Sequence, residues 1–95
     1  MRWIYHVRIP SPDAVEPSSE GFIHCSYQPA VLESARLYFP AGAELEILQI
    51  DPRGLAIEVA DTPRGPMPHV HQSIAPSAIV RRWRREEFSA APDEM

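Results

Sequence analysis

The chain has 95 residues and a mass of 10.7 kDa, which is the size of one domain and leaves no room for a second. Apolar residues make up 44% and charged residues 23% of it, so its composition excludes a disordered, collagen-like or coiled-coil protein. A net charge of -4 provides no basic field, which argues against nonspecific binding to nucleic acid or to an anionic membrane.

Cysteine usage and the N-terminal sequence indicate the compartment. Cys25 is the single cysteine, which excludes an intramolecular disulfide and a cysteine-rich zinc site. No apolar signal-peptide region follows Met1, and no window approaches the ~18 apolar residues of a membrane span. We therefore expect a cytoplasmic protein whose mature chain begins at or near Met1 and that has no membrane partner.

The N-terminal third of the chain is predicted to contain two strands separated by a loop. Residues 3–9 are aromatic and β-branched and stop at a proline, which is typical of a strand. Residues 10–20 are rich in Pro, Ser, Asp and Glu, and we expect a loop that could lie over a site. Residues 22–25 form a short apolar segment, predicted to be a strand or turn.

One amphipathic helix is predicted from about residue 30. Ser26 is a preferred helix N-cap residue, and Pro29 is tolerated in a first helical turn. Pro40 and Gly42 end the helical pattern. The apolar positions with helical spacing are Val31, Leu32, Ala35, Tyr38 and Phe39.

The C-terminal half is predicted to be mostly strand. Residues 44–50 are apolar on both faces, as in a central strand, and residues 51–54 form a turn. Residues 55–60 alternate with a period of two, which puts Glu58 on the face away from the core. Residues 61–66 are interpreted as a loop, and residues 68–73 and 78–83 as strands.

These elements predict an α+β fold. It consists of a small, mostly antiparallel or split β-sheet with one main helix. A single domain is expected over residues 1–88, followed by a disordered tail over residues 89–95.

The four histidines are the first candidates for a functional site. His6, His24, His69 and His71 each lie inside or beside an apolar run. A single buried histidine is most simply explained by a hydrogen bond to a backbone carbonyl, but that account is weaker for four together. Residues two apart in a strand share a face, so His69 and His71 could join His24 in a metal site with an open position. No HExxH motif supports that alternative.

Three further residues carry alternative interpretations. Cys25 adjoins His24, but neighbouring strand residues face opposite sides and a free cysteine usually packs as a small hydrophobe. Ser26 is interpreted as a helix cap, and the helix N-terminus behind it could bind phosphate or pyrophosphate. Glu58 is either a solvated carboxylate or a general base or ribose contact. The arginines of residues 81–85 are followed by two glutamates, which favours a solvated face over a nucleic-acid site.

Four sequence blocks resemble a bacterial family known as domain of unknown function 952. They are Ile4-Tyr5-His6, the segment Glu20-Gly21-Phe22-Ile23-His24-Cys25-Ser26, Ile50-Asp51-Pro52, and Met67-Pro68-His69-Val70-His71. The resemblance extends from about residue 3 to residue 83. Its motif layout is similar to that of the ADP-ribosyltransferase superfamily, which includes the RNA 2'-phosphotransferases. This implies a compact split-sheet cleft that binds NAD or a related nucleotide.

The resemblance also implies roles for individual residues. His6 would contact a ribose, and His24 with Ser26 would form the second-strand motif. Glu58 or His69 would supply the third catalytic position. Gly21 and His71, in the second and fourth blocks, are expected among the residues that contact the nucleotide.

Three functional hypotheses follow. The first is a nucleotide-binding protein, with NAD as a substrate, that transfers a group at the N-glycosidic carbon through His6, His24, Glu58 and His69. The second is a non-catalytic module for a small ligand or a protein. It is favoured by the loop after residue 8, which is shorter than in relatives and lacks their Trp and Tyr. It is also favoured by the last block, where Met67, His71 and Gln72 replace the Phe, Tyr and Gly of relatives. The third is a metal-dependent hydrolase using His24, His69 and His71.

Overall fold

Six strands and one α-helix form the framework of residues 2–88, which the computed structural model describes. The predicted disordered tail, residues 89–95, lies outside the described residues. Short 3-10 turns occur at Gln28–Ala30, Pro76–Ala78 and Arg85–Glu87. The main elements are β1 (Ile4–Arg8), β2 (Ile23–His24), α1 (Val31–Tyr38), β3 (Glu46–Ile50), β4 (Ile57–Thr62), β5 (Gly65–Val70) and β6 (Ile79–Arg84).

The first sheet is antiparallel and has the strand order β1-β3-β6. β3 lies in its centre, as its apolar composition predicts. Ile47, Leu48 and Ile50 in this strand are fully buried. These side chains fill both faces of the strand because successive residues project to opposite sides.

The second sheet has the order β2-β5-β4 and is also antiparallel. β4 and β5 form a hairpin in which Thr62 pairs with Gly65 across Pro63 and Arg64. The prediction of a loop over residues 61–66 was therefore wrong at both of its ends. Gly65 has φ +100°, a conformation that glycine adopts without a side-chain clash, and it allows β5 to start directly after a two-residue turn.

One backbone pair joins the two sheets. The amide of Tyr5 in β1 donates to the carbonyl of Ser26 at 2.8 Å, and the amide of Ser26 donates to the carbonyl of Tyr5 at 2.8 Å. The main core draws on both sheets and on the loop after β1. It contains Ile4, Val15, Ile23, Cys25, Leu48, Ile50, Val70 and Ile74. The α+β fold with one main helix and antiparallel strands is thus confirmed, with the strands divided between two small sheets.

The helix begins later than the sequence indicates. Its N-cap is Ala30, preceded by the 3-10 turn at Gln28–Ala30, and neither start has a side-chain cap. Ser26 is buried, and its hydroxyl lies 2.9 Å from the hydroxyl of Ser34 inside α1. The assignment of Ser26 as a helix cap was therefore wrong, because residues 27–30, which include the 3-10 turn, separate Ser26 from the start of α1.

The C-terminal end of α1 matches the predicted stop before Pro40, but only part of the predicted apolar face is buried. Val31 and Ala35 are buried, whereas Leu32 is 42% and Tyr38 58% exposed. The exposed Tyr38 ring lines a cleft beside the helix. Within residues 2–88, no helix has the length and apolar character needed to cross a membrane.

Candidate functional site

A cleft of about 740 Å³ lies where the two sheets, the end of α1 and the loop before β2 meet. Ligand sites for small molecules commonly have volumes of ~300–1,000 Å³. The polar and aromatic side chains that line it include His6, Glu16, Ser18, Glu20, Phe22, His24, Tyr38, Arg64 and His69. The loop of residues 10–20 contributes to one wall, so it lies against the histidines as expected.

His6 of β1 is fixed by a single strong contact. Its Nδ1 lies 2.7 Å from the carbonyl oxygen of His24. A carbonyl can only accept, so Nδ1 carries the hydrogen, and Nε2 of the neutral ring is an acceptor. Burial lowers the pKa of His6, and the bond to the His24 carbonyl only partly offsets this. The ring is therefore held neutral, with an acceptor free for a ligand hydroxyl.

His24 at the end of β2 is hydrogen-bonded to the loop. Its Nε2 lies 2.9 Å from Oε1 of Glu20, and both side chains are about half exposed. An ionised carboxylate only accepts, so Nε2 donates. The glutamate thereby fixes the orientation of the His24 ring and couples the loop before β2 to the strand.

The ring of Phe22 contacts the histidine rings on one face of the second sheet. Its ring stacks on His69, with centroids 4.1 Å apart, and meets His24 edge-on at 4.7 Å. The rings of His24 and His69 are 5.2 Å apart. Burial lowers the pKa of His69, and the nearby His24 acts in the same direction. His69 is thus kept neutral beside a histidine that has a carboxylate partner.

Arg64 forms the other side of the cleft. It lies in the turn between β4 and β5, and its side chain is 23% exposed. Its guanidinium donates to the hydroxyls of Ser34, at 3.3 Å, and Tyr38. It also lies over the Tyr38 ring, 5.2 Å from the centroid. Arg64 is a cation at the cleft that the sequence interpretation did not include.

Two predicted site residues lie on the correct sheet face but outside the cleft. Glu58 pairs with His69 across the hairpin, and directly opposed residues share a face. Its side chain is nevertheless 69% exposed and lies 3.2 Å from Nε2 of His71. Neither Glu58 nor His71 lines the cleft, because β5 separates β4 from His24 and because His71 follows the end of β5. The assignment of Glu58 to the reacting centre is therefore not supported.

Gly21 and Ser26 have structural explanations. Gly21 is also outside the cleft lining; it has φ +89° and closes a turn in which its amide donates to the carbonyl of Ser18 at 2.9 Å. Ser26 does line the cleft, but its hydroxyl is engaged by Ser34. No helix N-terminus opens behind Ser26, so the pyrophosphate position expected there is absent.

The metal alternative was wrong for the part of the chain that is described. Among residues 2–88, no group of three or more His, Cys, Asp and Glu side chains could hold a metal ion. The rings of His24, His69 and His71 instead pack around Phe22.

Cys25 is a packing residue, as the alternating strand geometry predicts. It is 2% exposed and belongs to the main core. Burial raises the pKa of its thiol far above the ordinary value. A thiolate is the nucleophilic form, so Cys25 is unsuited to covalent catalysis.

The sequence interpretation missed Arg64 and the role of Glu20. Arg64 falls in a segment with the Pro and Gly signals of an ordinary loop, and nothing in its spacing links it to α1. Glu20 was present in the second block, but a single exposed glutamate in a polar loop has no signature. Its position four residues before His24 was the one available signal.

Comparisons with known proteins identify a matching family and a solved structure of similar fold. A family model described as "Protein of unknown function (DUF952)" matches residues 10–82, a range that begins after His6. The X-ray structure of protein CC0527 from Caulobacter crescentus has a TM-score of 0.73 at 22% identity, covering 86% of this chain and 84% of that one. A double mutant of that protein gives the same values. No functionally curated protein matches the chain, and none of these matches extends to the ADP-ribosyltransferases.

Proposed function

The chain belongs to the DUF952 family of proteins of unknown function, and we propose from its cleft that it binds a nucleotide of the NAD or ADP-ribose type. The observation that carries the proposal is the meeting of His6, His24 and His69 in one cleft. These residues come from three different strands, β1, β2 and β5. Three histidines brought together from separate strands beside a carboxylate are typical of a binding or catalytic site.

The aromatic wall suits the planar parts of such a ligand. Phe22, Tyr38 and Phe39 all line the cleft, and aromatic rings stack favourably on other flat rings. His6 offers an acceptor nitrogen for a ribose hydroxyl, since its Nδ1 hydrogen is used by the His24 carbonyl. The cleft can therefore hold both a ring and a sugar.

The charges in the cleft suit a reaction at the N-glycosidic carbon. Release of nicotinamide breaks the bond between ribose C1' and the ring nitrogen, and the electron pair leaves with the neutral nicotinamide. Glu20 can stabilise the positive charge that develops on the sugar. Water then attacks C1' and loses its proton to a base, for which neutral His69 is suited because its pKa is lowered. Of the two residues expected at the third catalytic position, His69 thus serves as the base, and Glu20 provides the carboxylate in place of Glu58.

Isothermal titration calorimetry with NAD and with ADP-ribose tests the proposal. We expect heat from at least one nucleotide, and a loss of about tenfold or more in affinity for His6→Ala and for His24→Ala. His71→Ala is the matched control, since it removes a histidine outside the cleft and should bind as the wild type does. Absence of binding of both nucleotides to the folded wild-type protein would end the proposal.

Product analysis separates an enzyme from the non-catalytic binding module. Incubation with NAD followed by chromatography should show free nicotinamide and ADP-ribose, and His69→Ala should abolish this release while retaining binding. Binding of NAD with no nicotinamide released by the wild-type protein would favour the non-catalytic alternative.

A further inference from the structure

Arg64 differs from Arg8, Arg53, Arg82 and Arg84 in that no carboxylate lies within hydrogen-bonding distance of its guanidinium. The guanidiniums of Arg8, Arg53 and Arg84 approach a carboxylate oxygen at 2.9, 2.6 and 3.3 Å. The guanidinium partners of Arg64 are the neutral hydroxyls of Ser34 and Tyr38. Its nearest acidic group, Glu33, is 3.8 Å away, beyond hydrogen-bonding distance, and its side chain is 44% exposed.

The hydrogen bonds of Arg64 hold it in place, and the ion pair described for it, with the partly exposed Glu33, is long at 3.8 Å. Ser34 is itself fixed by the buried hydroxyl of Ser26, and the guanidinium lies against the face of the Tyr38 ring. A mostly buried guanidinium that is oriented by neutral hydroxyls and has only a long ion pair can still donate charge-assisted hydrogen bonds to an anion. It is also preorganised, so an anion binds without ordering a free side chain.

We infer that Arg64 is the anion-binding residue of the cleft and that it takes the phosphate or pyrophosphate of the ligand. This inference rests on the proposed function for the identity of the nucleotide. The planar guanidinium can donate two parallel hydrogen bonds to phosphate oxygens. It provides the anion position that the helix N-terminus was expected to supply and does not.

The acidic residues of the cleft determine the orientation of the bound ligand. Glu16 and Glu20 line the wall formed by the loop before β2, whereas Arg64 lies on the hairpin turn. A diphosphate is repelled by the glutamates and attracted by the arginine. The nicotinamide ring, which carries the positive charge of NAD, is accordingly directed with its ribose towards Glu20 and the histidines.

The test compares phosphate-bearing probes with one that lacks phosphate. Calorimetry is done with ADP-ribose, sodium pyrophosphate and adenosine on the wild type and Arg64→Gln. We expect Arg64→Gln to weaken binding of ADP-ribose and pyrophosphate about tenfold or more and to leave adenosine binding unchanged. Arg53→Gln is the matched control, because it removes one exposed arginine outside the cleft and alters the net charge equally.

A second variant guards against a folding defect. Arg64→Lys keeps the charge but not the planar pair of donors, so it should lose part of the affinity for pyrophosphate, and circular dichroism confirms that each variant is folded.

The outcomes for this inference and for the proposed function are separable. ADP-ribose binding that is equal in wild type and Arg64→Gln overturns the anion role and leaves the proposed function standing. Pyrophosphate binding that depends on Arg64, with no binding of any nucleotide, supports the anion role and overturns the nucleotide proposal. Failure of the wild type to bind either pyrophosphate or ADP-ribose overturns both.

Discussion

His6 illustrates how one buried side chain links stability to the site. The backbone carbonyl of His24 takes its Nδ1 hydrogen, while burial and the charges of Arg8 and His24 disfavour a second proton. Its pKa in the folded protein is therefore lower than in the unfolded chain. The same direction holds for His69. Both rings are neutral in the state that the cleft needs.

These shifts predict a loss of stability in mild acid. The unfolded chain takes up protons on these histidines below about pH 6.5, whereas the folded protein takes them up only at lower pH. The free energy of unfolding should therefore fall as the pH drops from about 6.5 through the folded pKa values. His6→Asn, which can still donate to the His24 carbonyl, should reduce this fall.

Urea denaturation at about pH 7 and about pH 5 measures the effect. Arg53→Gln is a suitable control, because neither Arg53 nor its partner Asp51 gains or loses a proton in that range. A decrease of equal size in the wild type and His6→Asn would contradict the assignment to His6.

Cys25 should be unreactive towards thiol reagents in the native protein. Its thiol is 2% exposed and its pKa is raised by burial, and thiol reagents react with an accessible thiolate. We expect an aromatic disulfide reagent to label Cys25 only when the protein unfolds, at a rate that follows urea concentration. Rapid labelling in buffer, at the rate of glutathione under the same conditions, would show that the thiol is accessible.

The residues that could be found from the sequence are those with a local pattern. His6, His24 and His69 attract attention because each interrupts an apolar run, and all three line the cleft. Arg64 and Glu20 have no such pattern, because their role in the cleft depends on the hairpin and the loop that bring them close to the histidines.

The turn before β2 shows how a short element sets the position of cleft side chains. Gly21 has φ +89°, and its amide bonds to Ser18, whose own amide donates to the carbonyl of Phe22 at 3.1 Å. This closed turn places Glu20 and Phe22 on either side of Gly21. Gly21 thus acts through the backbone, and its neighbours supply the contacts in the cleft.

Gly21→Ala should destabilise the protein by about 1–2 kcal/mol. A Cβ at this position meets no atom within 4 Å, so the cost comes from the backbone conformation and not from a clash. Ser19→Ala, at a neighbouring exposed residue without a positive φ, is the control and should change stability little. Thermal unfolding of both variants measures this difference. Equal melting temperatures for Gly21→Ala and Ser19→Ala would contradict the backbone explanation.

The contact between Ser26 and Ser34 ties α1 to the end of β2. Because the two hydroxyls bond each other in a buried place, Ser26→Ala and Ser34→Ala should be non-additive, with a coupling of about 0.5–1.5 kcal/mol. A double-mutant cycle from urea unfolding measures this. Strict additivity would mean that the two hydroxyls act independently, as a capping role for Ser26 would require.

Sequence patterns located β3 and β6 but not the β4–β5 hairpin. β3 is apolar on both sides and lies in the centre of its sheet, and β6 falls within two residues of its predicted bounds. The β4–β5 hairpin was obscured by Pro63, Pro66 and Gly65, which are ordinary loop signals. The pairing of Asp61 with Pro66 depends on the partner strand, which local composition does not describe.

The whole molecule is organised so that the core and the cleft use opposite sides of the second sheet. Ile23 and Val70 point into the core, while their chain neighbours His24 and His69 face the cleft. Strand alternation alone produces this division. The histidines are consequently positioned by the same residues that stabilise the fold, so a loss of core packing would also disorder the cleft.

A shared core predicts that the two sheets unfold together. Leu48 of the first sheet and Val70 of the second are both fully buried in one cluster, and a continuous core favours a single cooperative transition. A second, smaller cluster of buried residues lies beside the first sheet and contains Tyr5, Val31, Ile47 and Phe88. Trp83 packs against it, next to Tyr5 and Phe88. In a Trp3→Phe background, which leaves Trp83 as the single tryptophan, its fluorescence should therefore change at the same urea concentration as the Val70 methyl signals in NMR spectra.

Leu48→Ala extends this test to the organisation of the core. Removal of a fully buried leucine costs about 2–5 kcal/mol, and because Leu48 contacts a core that both sheets share, the Trp83 and Val70 transitions should shift to lower urea by the same amount. Val80→Ala, at a residue 48% exposed in the same sheet, is the matched control and should leave both nearly unchanged. If Leu48→Ala shifted the Trp83 transition alone, the sheets would be separate folding units, and the expectation of a single domain over residues 1–88 would be wrong.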